Sequence, residues 1–181
     1  MPRYVAFLRG INLGRRRPKS DELRACFAAI GMEEAATFRA SGNVIFTTGD
    51  GERVGELGPR IEAGLAEAFG YDVPTYVRTA AQMQAMATYE PFATELVAAS
   101  KGKLQVAMLL EKPTSQAKKK VLAMSTDEDR LAIRDSEMYW LPSGGLLEST
   151  LDQKAIAGIL GATTVRTKGT VDLIAAKYFA D

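Results

Sequence analysis

The chain has 181 residues, 46% of them hydrophobic and 25% charged, with a formal net charge of +1. That is the composition of an ordinary soluble globular protein, long enough for one domain or two small lobes. The near-neutral balance excludes wholesale polyanion binding, so any affinity for nucleic acid must come from a local patch.

There is no histidine and only one cysteine. Their scarcity removes Ser-His and Cys-His nucleophile pairs, imidazole acid–base chemistry, His-containing or Cys-rich metal sites and any intramolecular disulfide. A lone thiol fits a reducing cytoplasm, the expected location. No apolar run approaches the roughly 18–20 residues of a membrane span, and the short apolar stretch after Met1 ends in arginine, unlike a signal peptide.

In chain order, Tyr4–Arg9 carries large apolar residues on both faces and reads as a buried strand. A glycine-punctuated basic loop follows, with five basic residues and no acidic one between Arg9 and Lys19. Ser20 is the expected N-cap of a helix with Asp21 and Glu22 in its first turn, and Leu23, Cys26, Phe27 and Ile30 recur at helical spacing before Gly31. Ala36–Ala40 and Val44–Thr48 read as strands joined by a Ser41-Gly42-Asn43 hairpin. Val54, Leu57, Ile61, Leu65 and Phe69 share a helical stripe. Gly55, Gly58 and Pro59 place its regular start at Pro59. After Gly70 comes a strand over Val73–Arg78, and Thr79–Gln82 has capping-box spacing for a short helix carrying Met83 and Met86.

This order of strand, helix, strand, strand, helix, strand is the split βαβ, or ferredoxin-like, arrangement. Ser100–Lys103 reads as a linker, after which the element order restarts, though without repeating residues. The second half has a strand at Leu104–Leu110, a helix capped by Thr114, and strands at Arg130–Arg134 and Met138–Leu141. A helix near Asp152–Leu160, an extended Thr163–Thr167 and a helix from Thr170 to Phe179 complete it. The expected fold is therefore α+β: two ferredoxin-like lobes, 1–99 and 103–181, each an antiparallel sheet with helices on one face.

The segments Ala6–Gly14 and Ser41–Phe46, with Val77–Ala80, Pro91-Phe92, Ser149–Leu151 and Arg166 to Val171, resemble the bacterial domain-of-unknown-function 1697 family. The resemblance implies a two-lobed α+β protein and no established activity, cofactor or catalytic residue. Two departures stand out. Where many members carry a further glycine and then lysine or asparagine, this chain has Arg15-Arg16-Arg17. Where members place asparagine and an aromatic residue after the late arginine, it has Arg166-Thr167-Lys168-Gly169. Both departures make the chain more cationic.

The leading functional expectation is a small anionic ligand, bearing phosphate or carboxylate, bound at the basic loop or in an inter-lobe cleft. The candidate residues are Arg9, Asn12, Arg15, Arg16, Arg17 and Lys19, Ser41 and Asn43 of the hairpin, and Arg166, Lys168 and Thr170 of the tail. Arginine suits this role because its planar guanidinium pairs bidentately with such groups. The loop matches neither the P-loop nor the dinucleotide fingerprint and offers no place for Mg²⁺. One alternative is a nucleic-acid module using Arg15–Lys19 and an aromatic, Tyr139 or Trp140, on an open sheet face, although no RNA-recognition motif is present. Another is an assembly protein without catalysis. No catalytic constellation, metal site or cofactor is identifiable from the residues. Lys118-Lys119-Lys120 is expected to be a solvated helix face.

Overall fold

The structure, a computed structural model, describes residues 1–39 and 42–180. Within them the elements run β1 (Arg3–Leu8), α1 (Ser20–Ala29), β2 (Glu33–Thr37), β3 (Asn43–Thr47), α2 (Val54–Phe69), β4 (Thr75–Thr79), α3 (Ala80–Thr88) and α4 (Thr94–Ala99). They continue with β5 (Gln105–Met108), α5 (Ser115–Leu122), β6 (Asp129–Arg134), β7 (Glu137–Pro142), a 3-10 turn at Leu146–Glu148, α6 (Gln153–Leu160), β8 (Thr164–Thr167) and α7 (Lys168–Tyr178). Two four-stranded antiparallel sheets result, ordered β2-β3-β1-β4 and β6-β7-β5-β8. Each is the ferredoxin-like order expected from the sequence. The chain divides into two compact units, Met1–Gln84 with Ile174–Asp181, and Ala85–Leu173. Ser100–Lys103 lies within the second unit, between α4 and β5.

In the first unit β1 is a central strand, paired with β3 on one side and β4 on the other. Its even residues Tyr4, Ala6 and Leu8 join Val44 and Phe46 of β3, Leu23 and Phe27 of α1, and Leu57, Ile61 and Leu65 of α2 in one core. The Phe46 ring organises it, stacked on Tyr4 at 5.6 Å and edge-on to Phe27 at 5.5 Å. Val5 and Phe7 of the opposite face are also fully buried, which explains why β1 reads as apolar on both faces.

Helix α1 ends as the sequence suggests. The N–H of Gly31, at φ +81°, donates to Ala28 O, and that of Met32 to Phe27 O; this paired closure satisfies two terminal carbonyls. Its start differs from expectation. Lys19, not Ser20, is the N-cap, and Glu22 accepts the Lys19 N–H at 2.6 Å. The Ser20 hydroxyl instead accepts from the Thr37 hydroxyl of β2, at 3.0 Å. Strand β2 sits three residues earlier than predicted, with Glu34 at φ +50° where its register against β3 shifts. Such a bulge breaks the alternation on which a sequence reading relies. Ala40 and Ser41 of the predicted hairpin lie outside the described residues.

Helix α2 begins at Val54, five residues before the expected start, with Pro59 inside it. Gly64 lets α2 approach α1: a Cβ there would lie 2.7 Å from Ile30 Cγ2. Gly→Ala inside a helix ordinarily gains about 1 kcal/mol, but overpacking costs about 1–3 kcal/mol. Gly64→Ala is therefore expected to lower rather than raise the melting temperature, by about 2–4 °C, measured by circular dichroism.

The second unit repeats the plan. Ala107, Leu131, Ile133, Met138, Trp140, Val121 and Ile156 form its helix-side core. Thr114 caps α5 as predicted, its hydroxyl accepting the Ala117 N–H at 3.1 Å. Asp152 caps α6 through Ala155 at 2.9 Å. The β6–β7 turn places Asp135 at φ +50° between the paired Arg134 and Glu137, a conformation aspartate tolerates. Lys118, Lys119 and Lys120 are exposed, as expected. Tyr139 and Trp140, one of which was expected on an open sheet face, are both buried, at 1% and 6% exposure. Tyr139 packs edge-on against Tyr89 at 4.9 Å, while Trp140 lies in the helix-side core.

Candidate functional site

The basic loop is fixed at its ends and pinned at points between them. At the exit of β1, Leu8 N–H donates to Gly42 O and Arg9 N–H to Pro74 O, so the ladder persists on both sides up to the first cation. Gly10 then takes φ +69° and Gly14 φ +62°, turns that an L side chain adopts only at a cost. Between them Ile11 is buried in the helix-side core, and Pro18 is buried just before α1. The Tyr71 hydroxyl donates to Ile11 O at 3.1 Å, and the Arg16 guanidinium lies 4.4 Å from the centre of the Tyr71 ring. Tyr71 thus serves as a post for the loop, with a cation–π contact adding to the hydrogen bond.

The cationic groups project from this frame. Arg9, Asn12, Arg15, Arg16, Arg17 and Lys19 are all exposed. Arg9 hydrogen-bonds the Tyr76 phenol, whose pKa is raised by burial and pulled back by that guanidinium. Among the described residues no carboxylate lies within ion-pair distance of Arg15, Arg16, Arg17 or Lys19. The start of α1, a natural seat for an anion, already carries two carboxylates, Asp21 and Glu22, with Glu22 accepting the N-cap Lys19 N–H. Anion capture at this loop therefore falls to side chains rather than to the helix terminus. Asn43 is 4% exposed, its Nδ2 donating to Phe38 O at 2.9 Å, so its side chain closes the β2–β3 turn.

The tail candidates are arranged differently within the second unit. Arg166 turns along β8, donating to Thr164 Oγ1 at 2.9 Å and to Val165 O at 2.8 Å, and burial pulls its guanidinium down to about 10. The Lys168 ammonium donates to Asp172 Oδ1 at 2.6 Å and to Ala87 O at 2.7 Å. Thr170, expected as the N-cap of the last helix, is its third residue. Thr167 is the cap, accepting the Thr170 N–H at 3.2 Å. Thr79 does the same for Gln82 at the start of α3 and completes the reciprocal pair, its own N–H donating to Gln82 Oε1 at 2.9 Å. Val77-Arg78-Thr79 and Val165-Arg166-Thr167 therefore occupy equivalent strand-to-helix corners. The two halves repeat these residues as well as their element order, contrary to expectation.

The sequence model of the family described as "Protein of unknown function (DUF1697)" matches residues 1–139. The chain belongs to this family. Its basic loop and the Ser41–Phe46 segment lie inside the matched DUF1697 region, whereas the Arg166 corner lies beyond it. The fold is similar to that of the conserved bacterial protein SP0830 from Streptococcus pneumoniae, with a TM-score of 0.73 and 19% sequence identity over 97% of each chain. No curated protein matches the chain.

Several important residues of this DUF1697 chain were not singled out from sequence. Tyr71 and Tyr76 hold loop cations. Asp129, the last of three consecutive acidic residues, is 3% exposed and accepts from Trp140 Nε1 and from the Ser149 hydroxyl, each at 2.8 Å. No helix among the described residues is long and apolar enough to cross a membrane.

Burial also sets an alkaline limit. It raises the pKa of Cys26, with Glu67 adding to the shift, and those of Tyr76 and Tyr139, the latter helped by Glu137. Above the ordinary thiol and phenol values the unfolded chain releases these protons while the folded chain keeps them. The folded state then binds more protons, and stability falls with rising pH. Thermal melts are expected to show a decline in melting temperature beginning above about pH 9.

Proposed function

We propose that the chain is a binding protein for a small anionic ligand, phosphate- or carboxylate-bearing, held by the arginines of the 9–19 loop. One observation carries this reading. Arg15, Arg16, Arg17 and Lys19 are displayed on a segment pinned at Ile11, Tyr71 and Pro18, without a carboxylate partner among the described residues. Gathering like charges on a pinned loop opposes folding through repulsion, and an anion relieves it. Guanidinium forks match phosphate and carboxylate oxygens bidentately, and Arg9 extends the same charge to the end of β1. Burial of Tyr139 and Trp140 weighs against the nucleic-acid alternative, since single-stranded RNA and DNA are held largely by stacking on open aromatics.

Thermal-shift titrations with inorganic phosphate, pyrophosphate and citrate test the proposal, with single-stranded RNA in parallel at low and high salt. Stabilisation by the small anions, weakening as salt screens the loop, is the expected result. Absence of stabilisation by any small anion contradicts it. RNA binding with a steep salt dependence and no small-anion effect supports the nucleic-acid alternative instead.

A further inference from the structure

A second site lies wholly within the second unit. The end of α3, the loop into α4 and the first turn of α7 border a half-open cavity of about 170 Å³, lined by Tyr89, Phe92, Leu104, Glu90, Lys168 and Asp172, among others. This is smaller than the roughly 300–1,000 Å³ of drug-sized pockets and suits a small metabolite. The walls are held in place. Tyr89 packs against Tyr139 at 4.9 Å and beneath the Arg134 guanidinium at 4.8 Å. Lys168 N–H donates to Leu104 O at 2.8 Å, tying the start of α7 to the chain entering β5.

The polar groups are unevenly used. The Lys168 side chain is 12% exposed, and its ammonium gives two of its three protons, to Asp172 Oδ1 and Ala87 O. One donor thus remains in a nearly dry setting, where an added charge-assisted bond is strong. The Asp172 carboxylate is half exposed and engages Lys168 through one oxygen, leaving the other open, and Glu90 adds a second carboxylate to the rim. The formal charge of the lining is therefore one cation against two anions. A simple anion would meet more repulsion than attraction. A simple amine would leave the Lys168 proton unmet and face its charge. A ligand with a carboxylate, an ammonium and a compact apolar body satisfies all three parts.

We propose that this cavity binds a free α-amino acid with an apolar side chain: its carboxylate on Lys168, its ammonium between Asp172 and Glu90, its side chain against Tyr89, Phe92 and Leu104. The site is independent of the basic loop, because its residues belong to the second unit and its charge has the opposite balance.

Isothermal titration of the full chain with L-leucine and L-phenylalanine tests it, with 4-methylpentanoate and isopentylamine as probes lacking one charge each. The amino acids are expected to bind at least about tenfold more tightly than either probe, since each probe leaves one side of the site, Lys168 or the Asp172–Glu90 pair, without its partner charge. Lys168→Met and Asp172→Asn are each expected to weaken leucine binding by at least about tenfold. Val97→Phe, which adds bulk to another lining residue without touching the Lys168 ties, is expected to abolish it, with circular dichroism confirming the fold. No binding of either amino acid at about 10 mM, well above a millimolar Kd, overturns the proposal. So does binding that Val97→Phe leaves intact, or equal affinity for the single-charge probes.

Discussion

Replacing Asp129 by alanine is expected to lower the melting temperature by about 6–12 °C, from a loss of about 3 kcal/mol spread over a chain of this length. The carboxylate begins β6 at 3% exposure and accepts from two donors at 2.8 Å, Trp140 Nε1 on the neighbouring strand and the Ser149 hydroxyl beyond the 3-10 turn. Ser149 Oγ in turn accepts the Leu151 N–H at 3.1 Å, so one oxygen links the sheet to the segment leading into α6. Deleting it leaves a buried indole N–H and a hydroxyl without their acceptor, and unmade buried bonds cost more than made ones gain. Ser149→Ala removes one donor and should cost about 1 kcal/mol. Trp140 is the sole tryptophan, so its emission reports directly: Asp129→Ala should shift it to the red before global melting. An unchanged melting temperature would show that the tie does not stabilise the unit.

The second large effect concerns binding. In the triple variant Arg15→Ala, Arg16→Ala, Arg17→Ala, affinity for pyrophosphate is expected to fall by about 10- to 100-fold, as expected of three exposed charge-assisted contacts at about 0.5–0.9 kcal/mol each. Stability should hardly change. Arg15 and Arg17 are exposed, and Arg16 loses only its contact with Tyr71, worth about 0.5–1 kcal/mol at an exposed site. A rise in stability at low salt would itself agree with relief of loop repulsion. Tyr71→Leu, which keeps every cation but removes the hydroxyl on Ile11 O and the ring under Arg16, should weaken the same binding by a smaller factor. Equal pyrophosphate affinity in the triple variant and the parent chain would place the site elsewhere.

Much of the fold was legible because the sequence signals were local. Helical stripes, the Thr79–Gln82 capping box and the Thr114 cap depend on residues three or four apart, and each appears where the spacing puts it. Errors arose where distant contacts overrode local preference. The bulge at Glu34 shifted β2 three residues towards the N-terminus, and packing of Leu57 and Ile61 carried α2 through Pro59. The family resemblance was equally local, resting on short motifs in the matched region.

The candidate site was half legible. The charge of the loop is plain in the sequence; its anchors are not, because Tyr71 and Ile11 lie far apart in the chain and meet only in the fold. Lys168 was legible as a candidate cation of the tail, but not its partners: α7 sets Asp172 one turn away and the end of α3 supplies the Ala87 carbonyl. Asp129 was obscured by Asp127 and Glu128 beside it: three adjacent acids carry no local sign of which one is buried, and only the start of β6 turns the third inward. The repeated Val-Arg-Thr was readable throughout, as an identical tripeptide ending on the capping threonine of α3 and of α7.

Amide chemical-shift perturbation on titrating inorganic pyrophosphate into the isotope-labelled chain tests the central claim most directly. Shifts concentrated at residues 9–19, with the Arg15, Arg16 and Arg17 side-chain signals moving along the same binding curve, are the predicted result. Shifts confined to other segments, or no saturable shift at low salt, would contradict it.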